Sequence, residues 1–280
     1  MHKRMMVSLK SIAKLVCILS MSGCAPYEAP NEDDLEHELL FSAWNIEGRS
    51  IHVVESGDRN KQMVLFIHGT PGSWEGYGEY LQMSALSSRA HLVAIDRPGF
   101  GKFSEGDWLP PLQEQASILI KLRELNRSAL PVIVVGHSLG GTIAYRMAVD
   151  FPDEIAGIVV VSAPLDPELS YRRWYNVLAS FSLINWALPD ALNKANREMN
   201  PLQGDLVAMA PRLPEIRTRV TVIQGTEDKL VKFENLDFAE RSLQQARFKS
   251  IPVAGRGHFI LWEQPQLVAA EILAFLNESQ

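Results

Sequence analysis

The chain has 280 residues, 46% hydrophobic and 21% charged, with 18 Gly, 16 Pro, 2 Cys and a formal net charge of −6. A chain of this length buries most of its unfolded surface in one large or two small domains, which excludes collagen-like, mucin-like and broadly disordered classes. Two cysteines cannot build a disulfide scaffold or a four-cysteine zinc site, and a mildly acidic chain lacks the basic surface that nucleic acid requires.

Residues 1–23 contain Lys3, Arg4, Lys10 and Lys14 and no acid. A short apolar stretch at 15–19 follows, then Ser20-Met-Ser-Gly-Cys24. A basic start, an apolar centre and small residues at a cut site predict a secretory signal peptide over 1–23. The apolar run is far below the roughly 18 residues a spanning helix needs. Met21-Ser-Gly-Cys24 resembles the bacterial lipobox, which implies cleavage before Cys24 and lipid on that cysteine. By resemblance to lipoproteins of Gram-negative bacteria, Ala25 after the cysteine favours the outer membrane. From Cys24 onward 23 bases face 33 acids, so that part carries −10 and gains nothing from anionic lipid. Residues 24–39, acidic and Pro-containing, read as a lipidated N-terminus and flexible tether leading to a domain over 40–280.

The pattern then turns to β. Residues 42–47 and 50–55 predict a hairpin around Glu47-Gly48-Arg49. Residues 63–67 are a continuous apolar run, as expected of a strand covered on both faces. Ile67-His68-Gly69-Thr70-Pro71-Gly72-Ser73 follows it. A helix is predicted over 75–86 and a strand over 91–95, which leads into Asp96-Arg-Pro-Gly-Phe-Gly101. A helix over 112–125 and a strand over 131–135 come next.

That strand runs into Gly136-His137-Ser138-Leu139-Gly140-Gly141, and a helix is predicted over 140–150. This is G-x-S-x-G between a buried strand and a helix, the context in which a serine is lifted above a sheet as a nucleophile. The glycines are required because the turn is tight and the serine backbone strained. The amide of Leu139, at the helix start, suits developing negative charge. Acyl transfer needs a second oxyanion donor. Thr70 fits, because its N–H is free and Pro71 has none.

A strand over 155–161 follows. Between about 162 and 219 no strand signal appears, but Tyr171, Trp174, Tyr175, Phe181 and Trp186 lie there. A plain loop of that length is improbable, so a helical insertion over about 164–215 is predicted. The strand over 219–223 leads to Gly225-Thr-Glu-Asp228. A helix over 233–245, a weaker strand over 248–253 and a helix over 265–277 complete the alternation, which indicates βαβ units and a parallel sheet.

A serine alcohol needs a base, and the base an orienting acid. Of seven histidines, His2 and His37 lie in the leader and tether. His52 and His91 lie in or beside strands, where a structural role is expected. His137 is too close in sequence to swing onto Ser138, and His68 ties down its own loop. His258 lies in a Gly-rich loop after the last strand, where open α/β sheets place their sites. The acid should lie between serine and histidine. Asp228 is preferred, with Asp166 and Glu227 as alternatives.

Together, His68-Gly-Thr-Pro-Gly72, Asp96-Arg-Pro-Gly-Phe-Gly101, the Ser138 elbow, Gly225-x-x-Asp228 and Gly-His258 resemble the α/β-hydrolase superfamily over about residues 40–280. The resemblance implies an α/β-hydrolase fold with a mostly parallel eight-stranded sheet flanked by helices and a short helical cap after the sixth strand. It implies Ser138 as nucleophile, His258 as base then acid, Asp228 as orienter, and Thr70 and Leu139 as oxyanion donors. The loop after Asp96 is implied to be structural and to end near Ser104. An aspartate nucleophile would have suggested a dehalogenase or an epoxide hydrolase, and Ser138 argues against both.

The function expected is hydrolysis of a carboxylic ester or related acyl compound, without metal or cofactor. The partners expected are a small acyl substrate and, through Cys24, a membrane of the cell envelope. The same triad on another bond (C–C hydrolase, amidase or aminopeptidase, lactonase, perhydrolase) stays open, as does a non-catalytic surface-anchored binding protein.

Overall fold

A computed structural model describes residues 39–46, 48–101, 111–170 and 190–278. The expected signal peptide, Cys24, the tether, the loop end at Ser104 and part of the insertion at 171–189 lie outside the described residues.

Eight strands form one sheet: β1 (Leu40–Ile46), β2 (Arg49–Gly57), β3 (Met63–Ile67), β4 (His91–Ile95), β5 (Val132–His137), β6 (Ile155–Val161), β7 (Arg219–Gly225) and β8 (Arg247–Val253). Their order is β1-β2-β4-β3-β5-β6-β7-β8. Only the β1–β2 and β2–β4 pairs are antiparallel; every pair from β4 to β8 is parallel. β3 and β5 therefore sit at the centre, and their C-terminal ends carry the His68 loop and the Ser138 elbow.

Among the described residues, helices of eight residues or more are α1 (Leu112–Leu119), α2 (Leu139–Asp150), α3 (Asp190–Met199), α4 (Leu202–Met209), α5 (Glu234–Ser242) and α6 (Pro265–Glu278). Alternation along each strand sorts the core into two layers. Met63, Leu65 and Ile67 of β3 and Val132 and Val134 of β5 pack with α1, α2, α4 and α5. Val64, Phe66, Ile133 and Val135 face the other way, onto the 74–86 segment and α6. All five β3 side chains are buried. This is why β3 reads as an unbroken apolar run, each such residue contributing about 1.5–3 kcal/mol of burial.

Two predicted helices come out differently. The 75–86 segment is a 3-10 turn at Trp74–Tyr77 and two short helices, Gly78–Gln82 and Ser84–Ser87, interrupted at Met83, whose backbone is extended. Its apolar spacing is real, since Tyr77, Tyr80, Leu81 and Leu86 are all buried. Gly76 and Gly78 are poor helix formers. The broken path lets the Tyr77 hydroxyl donate to the Ile67 carbonyl (2.8 Å). Past α1, residues Ile120–Leu125 tighten into a 3-10 helix. In the predicted insertion, residues 164–170 are turn and irregular backbone, and the described helices are α3, α4 and a 3-10 helix over Ala210–Glu215. No helix among the described residues is long and apolar enough to cross a membrane.

Candidate active site

The elbow is held by the glycines around it. Ser138 has φ 52° and ψ −125°, in the left-handed half of backbone space that L-residues avoid. Its amide donates to the Val161 carbonyl (2.9 Å), and its carbonyl accepts from the Gly141 amide (2.9 Å). A Cβ on Gly140 would stand 2.0 Å from the Ile67 carbonyl oxygen, so α2 meets the end of β3 only through a glycine. A Cβ on Gly69 would stand 2.9 Å from the Ser138 Cβ, which shows how closely the His68 loop abuts the elbow.

Ser138, His258 and Thr70 line one cavity of about 430 Å³, together with Glu75, Trp262 and Phe259 among others. That volume suits a small organic ligand. Leu139 begins α2 directly after the serine, and its side chain is buried in the core, so only its amide can face a ligand. The Thr70 hydroxyl is buried without a hydrogen-bond partner among the described residues.

Behind the cavity, His258 Nδ1 lies 2.9 Å from Asp228 Oδ2. Asp228 is buried at the end of β7 and is fully engaged. Oδ1 accepts from the amides of Leu230 (2.8 Å) and Val231 (2.9 Å), and Oδ2 also accepts from Gln224 Nε2 (3.0 Å). Burial alone would raise the Asp228 carboxyl, but the hydrogen bond and charge of His258 and the two amides outweigh it and hold it below the ordinary value of 3.8. A carboxylate only accepts, so His258 carries a proton on Nδ1, which leaves Nε2 as the ring nitrogen not engaged by Asp228. Of the two alternative acids, Asp166 receives the Glu168 amide on Oδ1 and neither it nor the exposed Glu227 lines the cavity.

The other histidines are structural in their contacts. His52 Nδ1 lies 2.8 Å from Asp96 Oδ2, and His91 Nε2 lies 2.7 Å from Glu55 Oε2. His137 donates Nε2–H to the His258 carbonyl (3.0 Å). Burial, then the nearby His258, pushes its imidazole down to about 3. His68 donates Nδ1–H to Gly69 O and accepts the Arg97 amide at Nε2. Burial and the Arg97 charge hold it well below 6.5.

Both rings are therefore neutral when folded and protonatable when unfolded. Their folded values lie below the unfolded ones, so the unfolded state binds protons first as pH drops. Stability is complete above about pH 6.5 and declines below it, by about 1.4 kcal/mol per pH unit for each ring. Urea unfolding between pH 7.5 and 5 measures this slope. His137→Gln is expected to reduce it by about one proton, and an unchanged slope would remove His137 as a source.

One buried cluster was not singled out as functional in the sequence. Arg97, fully buried, uses all five side-chain N–H groups. Nε donates to His68 O (2.9 Å), Nη1 to Gln115 Oε1 (2.9 Å) and Glu198 Oε1 (2.5 Å), and Nη2 to Gly69 O (2.7 Å) and Glu198 Oε2 (3.1 Å). The α3 helix is thereby tied to the Thr70 loop. Arg97 stood within a noted motif, but Glu198 lies 101 residues away with no local signal. Among the described residues no group of three or more His, Cys, Asp or Glu side chains could hold a metal.

The profile of the family described as "Alpha/beta hydrolase family" matches residues 64–271. Epoxide hydrolase 3 of Xenopus tropicalis is 33% identical over 122 residues, 42% of this chain and 32% of that protein. The chain thus matches about a third of that relative's length. Among solved structures, a membrane phospholipase A described as a bacterial virulence factor superposes with TM-score 0.66 at 18% identity, over 86% of each chain. A carboxylesterase of Bacillus subtilis superposes with TM-score 0.64 at 17% identity, over 88% of this chain and 94% of that one. At these identities the structural likeness speaks for the fold.

Proposed function

The chain belongs to the alpha/beta hydrolase family, and on that premise we propose that it cleaves a carboxylic ester or related acyl compound through an acyl-enzyme on Ser138. The observation that carries this reading is a serine, strained at a strand–helix elbow, in one cavity with a histidine whose Nδ1 is bound to a buried, fully solvated-by-protein carboxylate.

Ser138 Oγ attacks the carbonyl carbon and its proton passes to His258 Nε2. The amides of Leu139 and Thr70 hold the tetrahedral oxyanion, each such donor contributing about 3 kcal/mol. His258 then protonates the leaving alcohol, takes a proton from water as hydroxide adds to the acyl-serine, and returns that proton to Ser138 Oγ as the acyl–oxygen bond breaks and the acid leaves. Asp228 stays ionised throughout and keeps the Nε2 lone pair available.

The similarity to an epoxide hydrolase raises a second reading, opening of a strained ether. Attack by Ser138 on an epoxide carbon would leave a dialkyl ether on the enzyme, which water does not cleave under mild conditions. A carboxylate nucleophile would leave an ester instead, which water can cleave. Ser138 therefore favours acyl chemistry. Fluorophosphonate labelling tests the choice: label on Ser138 supports it, and no label on folded protein rejects it. Parallel assays on esters, thioesters, amides and lactones then select the bond.

We further infer that Cys24 is lipidated after loss of residues 1–23 and that the domain is held at a bilayer of the bacterial envelope. The support is the order of basic, apolar and small residues ending in Met21-Ser-Gly-Cys24. Each buried acyl CH₂ contributes about 0.8 kcal/mol, so several chains on one cysteine suffice for stable attachment. Mass spectrometry of the mature protein is expected to find an acylated Cys24 at the new N-terminus. An unmodified terminus, or a Cys24→Ala protein still fully in the membrane fraction, rejects the anchor.

A further inference from the structure

We propose that Glu75 is the anchor for a positively charged group on the substrate, so that the cavity selects acyl compounds with an ammonium near the scissile bond. The inference deepens the serine-hydrolase reading and rests on it for the word substrate, but the cation site itself does not require turnover.

Among the described residues lining the cavity that holds Ser138 and His258, Glu75 is the one with a formally charged side chain, histidines aside. Its Oε2 is buried and has no hydrogen-bond partner among the described residues. No salt bridge to it is formed there either, although Arg59, Arg97, Arg146 and Arg219 all pair with carboxylates elsewhere in the fold. A carboxylate oxygen withdrawn from water without a partner is costly, and proteins resolve that cost by pairing the charge. Oε2 itself is closed to solvent, so a ligand would balance the charge of the carboxylate from the cavity side rather than bond to that oxygen.

The surroundings suit a cation with an apolar shell. Trp262 and Phe259 line the same cavity with ring centroids 5.9 Å apart. Trp262 also donates its indole N–H to Gly76 O (3.0 Å), which fixes it beside the Glu75 segment. Aromatic faces attract quaternary and alkylated ammonium groups, and such sites strengthen when desolvated. A trialkylammonium satisfies both features at once, its charge against the carboxylate and its methyl groups against the rings.

The structural role open to Glu75 is an acidic residue in the first turn of the short 3-10 helix Trp74–Tyr77. That role would govern stability, not selectivity, and the two are separable. The full chain is titrated with choline and with 3,3-dimethylbutanol, its uncharged carbon isostere, and binding is followed by tryptophan fluorescence. Choline is expected to bind at least about tenfold more tightly than the isostere. Glu75→Gln is expected to bring that ratio to about one.

In the kinetic arm, kcat/KM for acetylcholine over 3,3-dimethylbutyl acetate should follow the same pattern, high in wild type and near one in Glu75→Gln. Equal binding of choline and isostere by the wild type overturns the proposal. So does a ratio that survives Glu75→Gln, including the case in which that variant only lowers Tm. If neither ester is cleaved and fluorophosphonate leaves Ser138 unlabelled, the hydrolase reading fails by itself, and the binding arm still decides the cation site.

Discussion

Ser138→Ala is expected to abolish fluorophosphonate labelling and to lower kcat by about 10⁴-fold or more, with Tm within about 2 °C of wild type. The two halves of that expectation have different sources. In the proposed mechanism the loss of rate follows from removing the atom that would form the acyl bond, after which the proposed oxyanion donors and His258 have nothing to act through. The unchanged Tm follows from where the strain resides. The φ of 52° belongs to the backbone, fixed by the Val161 and Gly141 hydrogen bonds, and alanine carries the same Cβ as serine. The serine hydroxyl makes no capping bond to α2, so its loss leaves no amide unsatisfied. Equal labelling of wild type and variant, or equal rates, would end the acyl-enzyme mechanism.

Arg97→Ala should have the largest effect on stability. It leaves the Glu198 carboxylate, whose side chain is 3% exposed, without its cation, takes the Arg97 donor from the His68 carbonyl, and leaves the Gly69 carbonyl with only His68 Nδ1–H. Breaking a buried ion pair from one side costs about 3–5 kcal/mol. At about 2–4 °C per kcal/mol for a chain of this size, Tm should drop by roughly 10 °C. Arg97→Lys should recover little, because three donors on one point charge cannot replace a five-donor fork. The double change Arg97→Met with Glu198→Met separates fold from function. Removing both charges should restore much of the Tm, while the Thr70 loop, no longer tied at Gly69, should label slowly at Ser138. Calorimetry and labelling rates measure the two effects, and an Arg97→Ala protein melting within 2 °C of wild type refutes the assignment.

The sheet was legible because its strands are short and covered on both faces, so β3, β4 and β6 stand out as apolar runs between turn residues. β5 was equally plain and gained two residues, Gly136 and His137, as it entered the elbow. The break at Met83 was not legible. It depends on Tyr77 and Tyr80 reaching carbonyls of distant segments, Ile67 and Leu261, which no local periodicity encodes. The same division runs through the site. Ser138, Asp228, His258 and Thr70 each sit in a loop whose glycines announce it. Glu198 belongs to a helix that reads as part of an undifferentiated insertion, and its meeting with Arg97 is a product of tertiary packing. Glu75 carried no signal of its own in the sequence, and only the folded path of its segment brings it to the cavity wall.

The strand order β5-β6-β7-β8 has a consequence for timing. Ser138, the proposed nucleophile, rises from a strand at the middle of the sheet, whereas Asp228 and His258 follow the two strands at one edge. A chain that has paired its centre but not that margin would own a Ser138 with no base to activate it. Such a folding intermediate would be chemically silent, unable to attack esters before its walls are in place. Fluorophosphonate uptake would then count molecules whose outermost strand has docked, and its growth after dilution from urea would clock that docking.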